Sequence, residues 1–409
     1  MVVERVAVVS MHTSPADQAG TADSGGMNVS ILAIAAELVV RGTSVDLLTR
    51  AAGNPSSRVL LPGVTLHELP AGDPGPLDKG EMKAVTDEFG EAVADLARRT
   101  PGGYDIIHAH YWLSGIATLP VALELDIPFV QNFHTIDAMK NKNAATDDAA
   151  EPVVRVRSEA YLAGQADAVI ASSSAEATFL IDEVGAPADR TWIIPPGVDL
   201  ALFSPRQEQE HERVRAALKL DPERPLVVLA ARVQPLKGHE LAIQALAEIR
   251  ALRGWAPLLV IAGDVTPGQS PFAARLHSLA RELGVQDNVR FVGALHRDTL
   301  ADLLSAASVT IVPSFSYTFG LVALESAAAG TPVIGFRSGG LAESIEDGVS
   351  GMLLGTRDPR YWATEIALLI ENDERRAELS ASARRHAERF TWASAATSLL
   401  GVYAGVGRP

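Results

Sequence analysis

Short apolar runs that end in polar or glycine-rich tips alternate along this chain with stretches of helical periodicity. Residues 6–10 read as a buried strand that opens into a small, polar loop, 13–26, closing with Asp23-Ser24-Gly25-Gly26-Met27-Asn28. In the next segment Ile31, Ile34, Ala35 and Leu38 recur at i, i+3, i+4 and i+7, which predicts a helix stopped by Gly42. A strand at 45–48 completes a first βαβ unit, and the Gly- and Pro-rich connection 52–83 is expected to carry short hairpins and Lys79. Further strands are predicted at 104–110, ahead of Tyr111-Trp112-Leu113-Ser114-Gly115, and at 129–133, ending on His134-Thr135. Another at 168–171 ends on Ser173-Ser174-Ala175-Glu176, the pattern of a capping box.

Pro195-Pro196-Gly197-Val198 cannot continue a sheet interior, so 195–205 is read as a linker. The alternation restarts with strands at 226–230, 258–262, 289–292, 309–312 and 333–336. The expected fold class is α/β: two Rossmann-like, doubly wound parallel sheets whose carboxyl ends face each other across a cleft. The domains are expected at 1–198 and 206–385.

A length of 409 residues fits two domains better than one core. With 47% apolar but only 5% aromatic residues, the composition suits an α/β protein built on Val, Leu, Ile and Ala, and disorder is not expected. A net charge of −15 argues against a nucleic-acid partner, which needs basic stripes, but leaves room for a local cationic pocket. The absence of cysteine removes disulfides, thiolate catalysis and cysteine metal sites. No run of 18 uncharged apolar residues occurs, so no membrane partner is expected, and the reading is a soluble, cytoplasmic protein.

Candidate chemistry concentrates in the second half. The strand 309–312 delivers Pro313-Ser314-Phe315-Ser316-Tyr317-Thr318-Phe319-Gly320, and helical periodicity runs from Leu321 to Ala328. Backbone N–H groups of Phe319, Gly320 and Leu321 at a helix start suit a phosphate, and Gly320 allows close approach. Glu325, one to two turns on, is in reach of vicinal hydroxyls such as those of a ribose. After the strand 226–230 comes Arg232-Val233-Gln234-Pro235-Leu236-Lys237-Gly238, which puts two cations at the same sheet edge. These parts suit a nucleotide diphosphate.

The glycine turn with Glu325, the Arg232/Lys237 pair and the Gly335 to Leu341 stretch resemble the donor site of retaining GT-B nucleotide-sugar glycosyltransferases, family four. The resemblance implies that Arg232 and Lys237 hold the leaving diphosphate, that His134 contacts the donor sugar, and that Gly25, Gly26, Tyr317, Phe319, Gly320, Leu321 and Glu325 bind the donor. It implies no dedicated carboxylate nucleophile, since the leaving phosphate itself takes the acceptor proton, and no metal or other cofactor is expected. A last helix, about 386–409, is expected to return to the first domain. A narrower likeness, carried by Gly25-Gly26-Met27-Asn28, Tyr111 to Gly115 and His134-Thr135 with Lys140-Asn141, is to the mycothiol-pathway branch. Its members join N-acetylglucosamine from UDP-N-acetylglucosamine to 1D-myo-inositol 3-phosphate. That branch implies an acceptor site of Asn28, Lys79, Tyr111, Thr135 and Arg155, with Arg157 as a competitor for the Arg155 role, and a homodimer. Tyr317 stands where the family has an acidic residue, and Ile136-Asp137-Ala138-Met139 departs from the usual Leu-Ala-Ala-Val. Two further readings follow: a transferase of specialised metabolism with another UDP- or GDP-sugar and acceptor, or a non-catalytic sugar-nucleotide-binding protein.

Overall fold

A computed structural model of the protein describes residues 2–21, 23–137, 139 and 153–407, with Lys79 described by its backbone alone. Strands β1 (Arg5–Val9), β2 (Ser44–Arg50), β3 (Ser56–Leu61), β4 (Val64–Leu69), β5 (Ile106–His110), β6 (Phe129–Asn132), β7 (Ala168–Ala171) and β8 (Thr191–Ile193) form one sheet. Its order is β3-β4-β2-β1-β5-β6-β7-β8, parallel throughout except for the β3–β4 pair. Strands β9 (Leu226–Ala230), β10 (Leu258–Ala262), β11 (Val289–Gly293), β12 (Val309–Val312), β13 (Val333–Phe336) and β14 (Gly351–Leu354) form a second, parallel sheet in the order β11-β10-β9-β12-β13-β14.

The two orders decide where ligands can sit. In the first sheet the chain winds outward from β1 to one side through β2 and to the other through β5, so β1 and β5 flank the switch point. In the second, β9 and β12 do the same. Diverging connections leave a crevice beyond the carboxyl ends of such strands. The loops after β1, β5, β9 and β12 line it, together with those after β6, β10 and β11, and several of these loops carry the polar tips noted in the sequence.

Helices cover both faces of each sheet, as the near-continuous burial of β1, β5, β10 and β12 requires. The last helix, Trp392–Val406, packs on the first sheet, giving Ala395, Ala396, Leu399, Val402 and Tyr403 to one core with Ile31, Leu38, Val130 and Ile170. Arg41 fastens it by donating to the Ala393 carbonyl at 2.9 Å and the Thr397 hydroxyl at 3.1 Å.

Three details differ from the sequence reading. The strand β14 is not among the expected strands; it follows a glycine turn at Gly348. The 52–83 connection holds one hairpin, β3–β4, and β4 joins the sheet by pairing in parallel with β2. At the expected capping box Ser173 does accept from the Glu176 N–H at 3.1 Å, but Glu176 reaches one residue further back, to the Ser172 N–H and hydroxyl.

Candidate active site between the two sheets

A cavity of about 580 Å³ lies between the sheets. It gathers His134, Arg232, Lys237, Gly25, Gly26, Tyr317, Phe319, Gly320, Leu321, Glu325, Tyr111 and Thr135, drawn from loops more than two hundred residues apart.

On the second-sheet wall, Gly320 is the N-cap of the helix Leu321–Ala328, with φ +99°, a left-handed conformation that a side chain would strain. The loop before it is held by close backbone packing: a Cβ at Gly340 would lie 1.9 Å from the Thr318 carbonyl, and the Gly340 N–H donates to the Tyr317 carbonyl at 3.0 Å. Phe319 turns its ring into the core against Phe390, so only its backbone is offered to the cavity. Glu325 is 4% exposed and its Oε1 meets Arg297 at 2.8 Å. Burial raises its carboxyl above the ordinary value, and Arg297 pulls it back down. The Lys237 ammonium lies 3.8 Å from the centre of the Tyr317 ring, a cation–π contact, and Arg232 Nη1 reaches Asp23 Oδ1 across the cleft at 3.2 Å.

The opposite wall is formed by the loops after β1, β5 and β6. A Cβ at Gly25 would meet nothing within 4 Å and Gly25 has an ordinary extended φ of −165°, so neither strain nor packing explains that glycine; the room in front of it is open to a ligand. Among the described non-glycine residues four have positive φ, and two of them, Tyr111 (+74°) and His134 (+57°), line this cavity. Such conformations are sparsely populated and persist where the surroundings over-determine them, which is common at functional sites.

The His-x-His spacing of β5 places His108 and His110 on one face of the strand. Nδ1 of His110 lies 2.6 Å from His134 Nε2, and Nδ1 of His108 lies 2.7 Å from the Tyr403 hydroxyl of the last helix. Burial drives His108 and His134 down to about 3, and His110 well below its ordinary value, so at neutral pH all three are uncharged imidazoles. A neutral His134 with one ring nitrogen engaged can hydrogen-bond a sugar hydroxyl but is poorly placed to act as a base.

Two of the expected acceptor residues lie behind the lining of the cavity. Asn28 is 1% exposed and does not line the cavity. Its Oδ1 accepts from the Gly25 N–H at 3.1 Å, and its Nδ2 donates to Thr13 Oγ1 at 3.1 Å and the Ser14 carbonyl at 2.7 Å. It shapes the glycine loop from behind. Arg155 sits next to the cavity and not in its lining: 4% exposed, it donates to Thr135 and lies 4.8 Å from the Tyr111 ring centre, whereas Arg157 is exposed. Arg155 is therefore the arginine that joins Tyr111 and Thr135. Lys140 and Asn141 lie outside the described residues, as does the Lys79 side chain. Among the described residues no group of three or more His, Asp or Glu is arranged to hold a metal, and no helix is long and apolar enough to cross a membrane.

Asp23, His110, Arg297 and Asp137 were missed as site residues. His110 was available from the period of two along β5, and Asp23 from its place at a polar loop tip. Asp137 is marked only as part of the Ile136-Asp137-Ala138-Met139 departure, with nothing to name Arg155 as its partner, and Arg297 gives no local signal, since it acquires its role from Glu325 on another element.

The two winding units and the cleft define a GT-B transferase architecture. Residues 25–197 match the family described as Glycosyl transferase 4-like domain, and residues 210–386 match Glycosyl transferases group 1. The chain belongs to the GT-B glycosyltransferases and is an enzyme of that class. It is 40% identical over 405 residues to a D-inositol 3-phosphate glycosyltransferase of Stackebrandtia nassauensis, covering 98% of this chain and 91% of that one. To the protein of the same name from Acidothermus cellulolyticus it is 41% identical, covering 98% and 90%. Among solved structures it resembles a sucrose-phosphate synthase from Thermosynechococcus elongatus, with a TM-score of 0.88 and 28% identity over 98% of this chain and 99% of that one. An Anabaena protein crystallised with UDP and glucose shares the fold, with a TM-score of 0.78 and 21% identity over 98% of this chain and 99% of that one.

Proposed function

We propose that the protein is a retaining glycosyltransferase that moves N-acetylglucosamine from UDP-N-acetylglucosamine to an inositol acceptor, with 1D-myo-inositol 3-phosphate as the reference compound. The observation that carries this reading is the single cavity in which Arg232, Lys237 and the Gly320 turn face His134, Tyr111 and Thr135. The first group suits a diphosphate and the second a polyhydroxylated acceptor beside the donor sugar. In the reaction the bond from the anomeric carbon to the diphosphate oxygen breaks, and a bond from that carbon to an acceptor oxygen forms on the same face. The acceptor proton passes to the departing phosphate oxygen. Charge grows on that oxygen as the bond stretches, and Arg232, Lys237 and the helix N-terminus at Gly320 stabilise it there. Glu325 holds the ribose hydroxyls once Arg297 shares it, and His134 meets the sugar as a neutral hydrogen-bonding group.

The test is turnover of UDP-N-acetylglucosamine with inositol acceptors, with the anomeric configuration of the product read by NMR. An α-linked product from the α-linked donor is expected; a β-linked product would remove the retaining mechanism.

A second donor reading is favoured by Tyr317. Its ring covers Lys237 and brings bulk without negative charge to the place where the family has a carboxylate. A different UDP- or GDP-sugar fits that change, and a donor screen compares the two readings directly. Tyr317→Glu is expected to broaden use of N-acetylglucosamine donors.

A further inference from the structure

Beside Thr135 lies a charged network that the transfer step does not use. Asp137 is wholly buried, and its Oδ1 meets Arg155 Nη1 at 2.5 Å. Glu159, 1% exposed, accepts from Arg155 Nε at 2.9 Å through Oε1 and from the Asp137 backbone N–H at 3.0 Å through Oε2. The remaining guanidinium nitrogen, Nη2, donates to the Thr135 carbonyl and hydroxyl oxygens, both at 3.1 Å. All three nitrogens of Arg155 are thus engaged by protein oxygen, two of them by carboxylates, and the Tyr111 ring lies over the guanidinium.

A phosphate monoester that took Arg155 as its partner would have to displace Asp137. The displaced carboxylate has no water to turn to at 0% exposure, and the incoming dianion would then share a dry pocket with Asp137 and Glu159. Like charges brought that close without solvent repel strongly. A neutral polyol meets no such obstacle. Thr135 Oγ1, which already accepts from Arg155, has a hydrogen to donate to a polyol oxygen, and it lines the cavity.

We propose that Asp137 sets acceptor specificity by supplying, from the chain itself, the anion that Arg155 would otherwise take from the substrate, so that the acceptor presents hydroxyl groups and no phosphate to the Tyr111–Thr135–Arg155 corner. This rests on the reading of the acceptor as an inositol and narrows it to the unphosphorylated form. Asp137 acts through Arg155 and is a positioning residue.

The experiment compares myo-inositol with 1D-myo-inositol 3-phosphate as acceptors for the wild type, for Asp137→Ala and for the volume-conserving Asp137→Asn. The wild type is expected to favour myo-inositol in kcat/KM by about tenfold or more. Both variants are expected to shift that preference toward the phosphorylated acceptor by about tenfold to a hundredfold, chiefly through KM, and to become sensitive to competition by inorganic phosphate. If neither variant folds, the wild-type preference decides alone. A wild type that prefers the phosphorylated acceptor would overturn the proposal while leaving the inositol reading in place. Failure of the wild type to use either acceptor, with UDP still bound, would remove the inositol reading and the proposal with it.

Discussion

Arg232 and Arg155 stand on opposite walls of one cleft and are handled differently by the fold. Arg232 keeps about a quarter of its side chain exposed and meets Asp23, itself a third exposed, across the gap between the sheets. Arg155 is 4% exposed, fixed between two buried carboxylates of its own wall. An arginine that must receive a charged ligand has to be reachable, and any carboxylate it holds meanwhile must be able to return to water. An arginine buried with its counter-ions is structural, because its charge is already balanced where desolvation makes exchange expensive. In the proposed reading the donor wall receives a diphosphate, and the acceptor wall meets hydroxyl groups.

The largest effect expected from this contrast is on stability. Arg155→Met would leave Asp137 and Glu159 buried without their shared cation, and breaking a buried pair on one side costs about 3–5 kcal/mol. Urea denaturation should show that loss, and an unchanged midpoint would mean that the network contributes little. Lys237→Ala should do the reverse. Its ammonium is part-exposed, so stability should change by less than about 0.5 kcal/mol. Turnover should fall about a hundred- to a thousandfold, the usual cost of removing one donor to a developing oxyanion. Near-normal turnover would remove Lys237 from the diphosphate site.

Acid should separate the walls next. His108, His110 and His134 are all held below their ordinary value by burial on the first-sheet side. The unfolded chain binds protons at these histidines near pH 6.5 while the folded chain does not, so their contribution is fully present above about pH 6.5 and is lost as pH falls toward 3. Each adds roughly 1 kcal/mol per pH unit to the slope in that window. Melting temperature should therefore fall between pH 6.5 and 5, and His110→Phe should flatten the curve. An identical slope in the variant would mean that other groups govern the acid limb.

Much of this arrangement is legible in the chain because it is local. Apolar runs, glycine turns and helical periods lie within a dozen residues, and they locate the loops after β1, β5, β9 and β12 together with Gly320, Glu325, Arg232 and Lys237. The sheet orders then turn those loops toward one crevice. What escapes is pairing at a distance. Asp137 reads as a polar residue near a strand end until Arg155, 18 positions on, is folded against it, and no local period marks that contact. Asn28 differs for the opposite reason: its place in a ligand-facing motif suggests contact, whereas its amide is engaged by three backbone or hydroxyl partners of the loop.

The smallest expected effect is also the one that tests whether Asp23 stands in for the ligand. An ion pair as exposed as Asp23–Arg232 contributes about 0–1 kcal/mol to stability, so Asp23→Asn should melt almost as the wild type does. A diphosphate entering at Arg232 must, however, draw that arginine from Asp23 and bring its own negative charge up to the loop. Removing the carboxylate's charge should therefore tighten UDP binding by about two- to fivefold, measured by calorimetry, and the gain should shrink at high salt as the repulsion is screened. Weaker binding in the variant would mean that Asp23 helps to hold the glycine loop over the nucleotide, and that the bridge across the cleft is part of the bound state instead of a lock the substrate opens.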